Sequence, residues 1–416
     1  MRLIILTQYY PPEIGAPQNR LSDIARRFVR AGHQVTVLTA MPNYPTGKVL
    51  PGYGGFFRRE VIDGVQVLRS FIYPTQSAGL IKRLANYFSF TFSSALIGSL
   101  FLPKADFLLC ESPPLFLGPS AIWLSWLKCA RFIFNVSDLW PESALHVGVV
   151  SSRESLSYRV AEWLEARCYR SAWTVSGQSR AIIQNIHQRF PRVATYHLSN
   201  GVDTDRFSPR QPDASQREPF GAPDDLVVMY AGLHGLAQGL QQILLIAERL
   251  RDSPNIRFVF VGDGPVKRQL MDEAAQRGLS NVKFMDPIPS ARMPSTLICA
   301  DVLIVPLKSY IPGAVPSKLY EAMACGRPVL LIASGEAAQV VEQANAGAAI
   351  APDDIDAAVD CLRKYAGDSE LRRQLGENGR RYVMENFNRA TIASGLIEHL
   401  QSALSDSGNE SARDTE

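Results

Sequence analysis

The segment 314–330, AVPSKLYEAMACGRPVL, predicts a turn, a helix, a tight turn and a buried strand, in that order. Ser317 is a favourable helix N-cap, and Gly326 followed by Pro328 would end the helix before the apolar strand. The free backbone N–H groups of a helix N-terminus bind anions, and Lys318 adds a positive charge in the first turn. This order fits a phosphate site at the carboxyl edge of a parallel sheet.

Glu321 lies about one helical turn after Lys318, so both side chains would face the same end of the helix. A carboxylate there can accept hydrogen bonds from a pair of sugar hydroxyls. The segment therefore predicts a site for phosphate and ribose together. The same local pattern also fits an ordinary capped helix with surface charge.

Apolar strand patterns alternate with helical patterns in two runs. The first run contains a helix over 20–31 and strands over 3–7, 34–39, 66–70, 107–110, 132–136 and 173–176. The second run has strands over 227–230, 257–261, 282–285, 302–305, 328–332 and 348–350. This alternation predicts an α/β protein with two Rossmann-like, doubly wound domains that face an inter-domain cleft.

The alternation of strand and helix patterns also indicates where the domains begin and end. We expect an N-terminal domain over 1–200, a polar linker over 201–225 and a C-terminal domain over 226–387. A helix over 388–404 would return to the N-terminal domain. The polar end of the chain, 405–416, is expected to be a disordered tail.

Composition restricts the class of protein. A chain of 416 residues exceeds the usual size of one core, and a net charge of +3 gives no reason to expect nucleic acid as a partner. The six cysteines show no CxxC motif, which predicts buried free thiols in a reducing compartment. The start, MRLIILTQYY, enters a strand pattern without a basic leader, so we expect a cytoplasmic location.

Six motifs occur in one order along residues 1–399: QYYPPEIGAP, DLWPES, SNGVDTDRF, YAGLHGLAQGL, VFVGDGP and PSKLYEAMACGRPV. With these motifs the chain resembles the retaining GT-B glycosyltransferases of family 4. It is most similar to the branch that builds O-antigen and capsule repeats, which includes L-fucosamine and colanic-acid transferases. The resemblance implies an N-terminal domain that binds the acceptor and a C-terminal domain that binds a nucleotide sugar.

The resemblance also assigns donor-binding residues. The glycine of the first loop, matched by Gly15, lets the backbone approach the transferred sugar and the diphosphate. The diphosphate would be bound by Ser317 and Lys318, while Glu321 would bind the ribose. The remaining donor residues are in two glycine-rich loops. The first loop contains Gly232, His234 and Gly235, and the second, which would pass near the base, contains Gly262 and Asp263.

The chain departs from the family pattern at two places in the donor site. The family often has an arginine and a lysine in the YAGLHGLAQGL loop, and this chain has Leu233-His234 and Ala237-Gln238 there. His234 is then the side chain expected to supply charge in this loop and is a candidate catalytic residue, with an ordinary loop histidine as the alternative. The family's glutamate eight residues before Glu321 is replaced by Gly313. This implies either a donor with altered hydroxyls, such as N-acetyl-L-fucosamine, or a Glu321 that acts alone.

The motif NVSDLWPES follows the strand at 132–136. Many relatives have a histidine near this point, where this chain has Ser137-Asp138. Asp138 is the candidate to orient the acceptor hydroxyl or take its proton, and Glu142 is a second candidate. In the alternative interpretation, Asp138 caps the following turn.

These observations predict transfer of a sugar, with retention, from a nucleotide-diphosphate donor that we expect to be UDP-linked. The acceptor would be a polyprenyl-diphosphate-linked saccharide of surface polysaccharide biosynthesis, and no cofactor or metal ion is expected. Two alternatives stay open, a nucleotide-sugar epimerase of similar fold and a non-catalytic subunit that binds nucleotide sugars.

The uncharged segment 87–103 is flanked by Lys82, Arg83 and Lys104. At this length it is at the lower limit for crossing a bilayer. We expect it to lie on anionic headgroups at the inner face of the cell membrane, or else to be a helix of the domain core.

Overall fold

The computed structural model describes residues 1–13, 15–44, 46–75, 80–146 and 152–413. They form two compact units. Unit 1 comprises Met1–Asn200 and Ala390–Glu416, and unit 2 comprises Gly201–Arg389. Each unit has one sheet, and most strands are continuous apolar runs because parallel strands are covered by helices on both faces.

The sheet of unit 1 has eight strands in the order β3-β4-β2-β1-β5-β6-β7-β8, and all pairs except β3–β4 are parallel. In chain order its elements are β1 (Arg2–Leu6), α1 (Ala16–Arg30), β2 (Gln34–Ala40), β3 (Phe57–Ile62), β4 (Val65–Ser70), α2 (Leu80–Phe101), β5 (Phe107–Ser112), α3 (Gly118–Leu127), β6 (Arg131–Val136), α4 (Glu142–His146), α5 (Leu156–Ser171), β7 (Thr174–Gly177), α6 (Arg180–Arg189) and β8 (Thr195–His197).

The sheet of unit 2 has six parallel strands in the order β11-β10-β9-β12-β13-β14. Its elements are α7 (Ala214–Arg217), β9 (Leu226–Ala231), α8 (Gln241–Arg249), β10 (Ile256–Val261), α9 (Lys267–Gln276), β11 (Val282–Met285), α10 (Met293–Leu297), β12 (Val302–Pro306), α11 (Ser317–Ala324), β13 (Val329–Ile332), α12 (Glu336–Ala344), β14 (Gly347–Ile350), α13 (Ile355–Gly367) and α14 (Ser369–Asn386). The predicted α/β fold with two Rossmann-like domains is confirmed.

Each sheet has a point at which the order of its strands reverses along the chain. In unit 1 this point lies between β1 and β5, and in unit 2 between β9 and β12. The loops that leave neighbouring strands diverge there and open a crevice outside their carboxyl ends, where α/β proteins bind ligands. Both groups of site residues described below occupy such positions.

The prediction of a linker over 201–225 is wrong. Val202, Phe207 and Phe220 are buried in the core of unit 2. The Arg217 guanidinium donates to the Cys299 carbonyl over 2.6 Å and pairs with Asp301 at 2.7 Å. Most residues between these anchors are polar, so the sequence pattern did not indicate that the segment belongs to unit 2.

The last helix, α15 (Arg389–Arg413), is longer than predicted. Its side chains Leu396 and Leu400 are buried in the core of unit 1. The expected disordered tail over 405–416 is therefore wrong as far as Arg413, and residues 414–416 lie outside the described part of the chain. Polar residues extend a helix whose earlier turns are already packed, because propagation costs less than nucleation.

Among the described residues, α2 is the helix long and apolar enough to cross a membrane, with a mean hydropathy of 1.2 over Leu84–Phe101. Core helices of soluble proteins pass the same test, and 39% of this window is buried. Phe90 and Ile97 of α2 lie in the core of unit 1. One face of α2 is thus a core face.

The six cysteines are all free thiols. Four of them are buried as expected, whereas Cys129 is exposed and Cys361 is partly exposed. The expectation that all six thiols are buried is wrong for these two residues.

Candidate functional site

Two glycine-rich turns touch each other at the carboxyl edge of β9 and β10. A Cβ atom on Gly262 would lie 2.0 Å from the carbonyl oxygen of Gly232, and one on Gly264 would lie 2.4 Å from that of His234. Gly232 and Gly262 also have φ angles of 147° and 140°, which favour glycine. The turns are held by hydrogen bonds from Gly232 N to Val261 O and from His234 N to Asp263 O. Bare backbone is therefore required at both turns.

The Lys318 side chain lies directly against Gly232. A Cβ atom on Gly232 would be 2.1 Å from Lys318 Cε and 2.8 Å from its Nζ. The ammonium lies 5.7 Å from the centroid of the Tyr230 ring, and no residue in the described part of the chain accepts a hydrogen bond from it. Burial lowers the pKa of Lys318, and Glu321 opposes that shift. A partly buried cation without a bonded anion, above exposed backbone, forms a site for an anionic group.

The N-terminus of α11 lies in the same loop region, with one correction to its cap. Pro316 occupies the N-cap position with extended backbone, and Ser317 is the first helical residue. The Ser317 hydroxyl therefore does not cap the helix. The Leu319 N–H donates to the Pro316 carbonyl over 3.0 Å, whereas the N–H groups of Ser317 and Lys318 have no acceptor in the described part of the chain, so these two can bind an anion together with the Lys318 ammonium.

Glu321 lies in the field of three cations. Burial raises the pKa of Glu321, while Lys318, Arg389 and Arg206 lower it, in that order. The two arginines are fixed by other bonds: Arg389 donates to the carbonyl of Gly201 over 2.9 Å, and Arg206 donates to Ser290 Oγ over 2.8 Å. Sequence reasoning missed both, because neither is close to Glu321 along the chain.

The surroundings of the His234 ring differ from those predicted. Its ring is fully buried against three aromatic rings, those of Tyr230, Phe260 and Phe284. Neither ring nitrogen has a hydrogen-bond partner in the described part of the chain. Burial lowers the pKa of His234 to about 4, with Lys267 adding to the shift. The ring is therefore neutral at pH 7, and the prediction that it supplies charge is wrong.

The other predicted donor residues have local roles in the structure. Gly235 precedes a short 3₁₀ turn that is joined to the segment after β12 by a bond from Lys308 N to the Ala237 carbonyl. The exposed Asp263 side chain accepts from Gly264 N over 2.8 Å and so stabilises its own turn. Gly15 belongs to unit 1, where it precedes α1 in an extended conformation that any residue adopts.

Alanine substitutions of two glycines should separate backbone strain from the close approach of the two turns. Gly278→Ala introduces backbone strain alone, because φ is +65° and no atom lies within 4 Å of the new Cβ. We expect it to lower the free energy of unfolding by about 1–2 kcal/mol. Gly262→Ala adds a clash with fixed backbone and should cost about 1–3 kcal/mol more. Urea unfolding followed by circular dichroism measures both, and equal losses would contradict the close approach.

A buried polar cluster lies at the reversal point of unit 1. Glu111, at the end of β5, accepts hydrogen bonds from Arg20 Nη2 (2.5 Å), Ser137 Oγ (2.5 Å) and Asn135 Nδ2 (2.6 Å). The Arg20 and Glu111 side chains are each only 2% exposed. The charged Glu111 within the mostly apolar strand FLLCES is the sequence signal that points to this cluster.

Asp138 is next to this cluster, whereas Glu142 has a separate partner. Burial raises the pKa of Asp138 to about 7; Glu111 adds to the shift and Arg20 opposes it. Glu142 pairs with Arg153 at 3.1 Å near the surface. Asp138 therefore holds a proton that it can exchange near neutral pH, which suits an acid or base.

Within the described ranges, no group of three or more His, Cys, Asp or Glu side chains is arranged to hold a metal ion. Metal independence stays a prediction.

Two family models match the chain, one in each unit. Residues 15–201 match the model described as "Glycosyl transferase 4-like domain", and residues 213–382 match "Glycosyl transferases group 1". The Escherichia coli (strain K12) protein WcaI, whose name describes a colanic acid biosynthesis glycosyl transferase, is 26% identical over 381 residues. That match covers 88% of this chain and 92% of WcaI.

Solved structures show the same fold. Sucrose-phosphate synthase from Thermosynechococcus elongatus superposes with a TM-score of 0.75 at 17% identity, covering 98% of this chain and 100% of that one. HepE of Anabaena, in complex with UDP and glucose, superposes with a TM-score of 0.71 at 18% identity, covering 97% and 100%. At these identities the likeness concerns the fold alone.

Proposed function

The chain is a GT-B glycosyltransferase of group 1 with a glycosyltransferase-4-like N-terminal domain, and we propose that it transfers a sugar, with retention, from a nucleoside diphosphate to a lipid-linked saccharide. The observation that supports this most is the Lys318 ammonium above the backbone of Gly232, at the reversal point of unit 2. A diphosphate is the group of such a donor that fits an unbonded cation beside free N–H groups.

Charge builds on the leaving diphosphate as the bond to the sugar breaks. Lys318 and the first-turn N–H groups of α11 stabilise that charge, and they are in place before the reaction begins. Glu321 accepts hydrogen bonds from the ribose hydroxyls. We assign no carboxylate as a nucleophile, so the acceptor attacks on the face from which the diphosphate leaves, without a covalent intermediate.

The proposal extends to the chemistry of the donor. We propose a UDP-linked donor that reacts without a metal ion, because Lys318 and backbone amides take the place of a cation at the diphosphate. Gly313, which stands where the family has a glutamate, is buried and has no side chain to bind a hydroxyl. This supports an N-acetylated deoxy sugar such as N-acetyl-L-fucosamine.

The direct test is an assay of purified protein with UDP-sugars and a polyprenyl-diphosphate-linked saccharide, with and without EDTA. We expect free UDP only when donor and acceptor are both present, equal rates in EDTA, and a product whose anomeric NMR coupling matches that of the donor. Conversion of the donor without acceptor would instead identify an epimerase. Donor binding without any conversion would identify a non-catalytic subunit.

Asp138 should set the pH dependence of transfer, since we propose that it takes the acceptor proton. Below its pKa of about 7 the carboxyl is protonated and cannot act as a base. Activity should therefore rise as the pH increases through about 7. Asp138→Asn should lower activity by about 10²–10⁴-fold and abolish this rise. Glu142→Gln, the matched control, should keep it; a pH profile unchanged in Asp138→Asn would refute the role.

We further propose that unit 1 binds the cytoplasmic face of the cell membrane, where its lipid-linked acceptor would lie. An aromatic patch, formed by Phe92 and Leu96 of α2 with Trp123 and Trp126 of α3, is exposed. The two helices are linked by a hydrogen bond of 2.9 Å from Trp123 Nε1 to Ser99 Oγ. Tryptophan side chains favour the membrane–water interface.

Basic residues flank the aromatic patch along the chain. Lys82 and Lys104 are exposed at the two ends of α2, and the Arg83 side chain lies outside the described part of the chain. Each basic residue near an anionic surface contributes about 1 kcal/mol to binding. Binding should therefore weaken at high salt.

Phe92→Ser with Leu96→Ser should release the protein from phosphatidylglycerol vesicles. Burying each apolar side chain in the interface contributes about 1.5–3 kcal/mol, so we expect affinity to fall by more than about tenfold. Val61→Ser is the control, because Val61 is 68% exposed on β3 of the same unit. Sedimentation with vesicles measures both, and equal binding of the two variants would contradict the proposal.

A further inference from the structure

A cavity of about 680 Å³ lies within unit 2. It is lined by Asp301, Arg327 and Pro328, which precede β12 and β13, and by one side of α14. Because the strands are parallel, the amino ends of β12 and β13 lie at the opposite edge of the sheet from Gly232 and Gly262. Lys318 lies in the first turn of α11, a helix about 12 Å long, whereas Cys325 and Gly326, which line the cavity, follow its other end. The cavity is therefore distinct from the proposed donor site.

Positive charge dominates this cavity, which we call the arginine pocket. Two carboxylates and six arginines line it, a formal charge of +4; the arginines are Arg210, Arg327, Arg372, Arg373, Arg380 and Arg381. Both carboxylates already have partners: Asp301 pairs with Arg217, and Glu377 pairs with Arg373. Within the described ranges, the five other arginines form no ion pair. These five guanidinium groups therefore share one concave surface without a carboxylate at ion-pair distance, and Asp301 attracts Arg327 only from farther away.

Arg327 has an unmet hydrogen-bond donor in the arginine pocket. Its Nη2 donates to the Ile298 carbonyl over 2.5 Å, but its buried Nε has no partner in the described part of the chain. Burial lowers the pKa of Arg327 and of Arg380, although the attraction of Asp301 opposes the shift at Arg327. An anion in the pocket would offset the cost of burying these charges.

Not every arginine is available for a ligand. Arg380 Nη1 donates to the carbonyls of Thr204, Phe207 and Ala324, so it holds the start of unit 2 against α11. Arg210 and Arg381 are exposed residues of the lining; Arg381 Nη2 donates to Asn378 Oδ1 over 3.2 Å, and the remaining N–H groups of each planar guanidinium can bind phosphate. The apolar groups of Pro209, Pro328 and Met384 complete the lining and suit a carbon skeleton.

We propose that the arginine pocket binds a soluble organic phosphate with two or more phosphate groups, at a site separate from the donor site. Its volume lies in the range of small-molecule sites, about 300–1,000 Å³. A concave pocket with an apolar wall favours a small molecule over a flat lipid surface. The proposal does not depend on the transfer reaction, because its test measures binding alone.

The test uses ATP and inorganic tripolyphosphate as probes, titrated calorimetrically into the Lys318→Met protein to reduce binding at the donor site. Arg210→Gln with Arg381→Gln should weaken the binding of both probes by about tenfold or more. Arg268→Gln with Arg363→Gln is the matched control, since it removes two exposed arginines elsewhere in unit 2. This control pair should bind the probes with unchanged affinity.

Three results would overturn the proposal. Absence of binding for both probes would show that the pocket takes no organic phosphate. Equal weakening in the two double variants would show that only general charge matters. Binding to phosphatidylglycerol vesicles that is lost with Arg210→Gln and Arg381→Gln, while ATP binding is unchanged, would assign the surface to lipid headgroups.

Discussion

Lys318→Met should lower sugar transfer by about 10²–10³-fold, equivalent to about 2.7–4 kcal/mol of transition-state stabilisation. The ammonium lies against Gly232, where the leaving diphosphate is proposed to bind, and no described residue accepts a hydrogen bond from it. Methionine preserves most of the side-chain volume and removes the charge. The loss should therefore appear in kcat as well as in the affinity for UDP, because the charge on the diphosphate grows as the bond breaks.

Lys308→Met is the matched control for Lys318→Met. Lys308 is an exposed lysine in the segment after β12, and its backbone N–H is bonded to Ala237. Removal of its charge should change kcat by less than about twofold, as expected for an exposed charge. Equal kinetic constants for Lys318→Met and the wild type would exclude Lys318 from the site, whatever the donor sugar.

Arg20→Met should destabilise unit 1 by about 3–5 kcal/mol, because it leaves the Glu111 carboxylate buried without its cation. The two groups are 2.5 Å apart, and both side chains are only 2% exposed. Arg20→Met combined with Glu111→Met removes both charges and should cost less than the sum of the two single changes. Additive losses would contradict a coupled buried pair.

The five tryptophans of the chain give this experiment a selective readout. All five lie within the first 200 residues, so tryptophan fluorescence during urea unfolding reports on unit 1. Arg2→Met is the control, since Arg2 and Asp106 form a more exposed pair at 3.6 Å. It should cost less than about 1 kcal/mol.

The fold was largely predictable because buried parallel strands are continuous apolar runs. Two strands lack this pattern and were not predicted: β3 (FRREVI), a polar antiparallel edge strand, and β8, which has only three residues. Segments 201–225 and 405–413 were predicted wrongly because their residues are mostly polar; in 201–225 a few buried anchors such as Val202 and Phe220 join the segment to unit 2. Those anchors depend on long-range packing, which no local pattern reveals.

The candidate site was predictable where the residue type itself indicates the role, such as glycine for close backbone approach and lysine for binding an anion. Gly232, Gly262 and Lys318 come together in the structure as the motifs indicated. The burial of His234 depends on rings from β10 and β11. The pair of Arg20 with Glu111 spans 91 residues of chain. Neither arrangement can be derived from spacing along the sequence.

The discontinuity of unit 1 determines the order in which the two cores are completed during synthesis on the ribosome. The strands of unit 1 emerge first, but its core lacks Leu396 and Leu400 until the final helix has been made. The last core residue of unit 2, Val383, is made before either of them. The unit that is encoded later can thus finish folding first, while the core of unit 1 stays incomplete until α15 has been made.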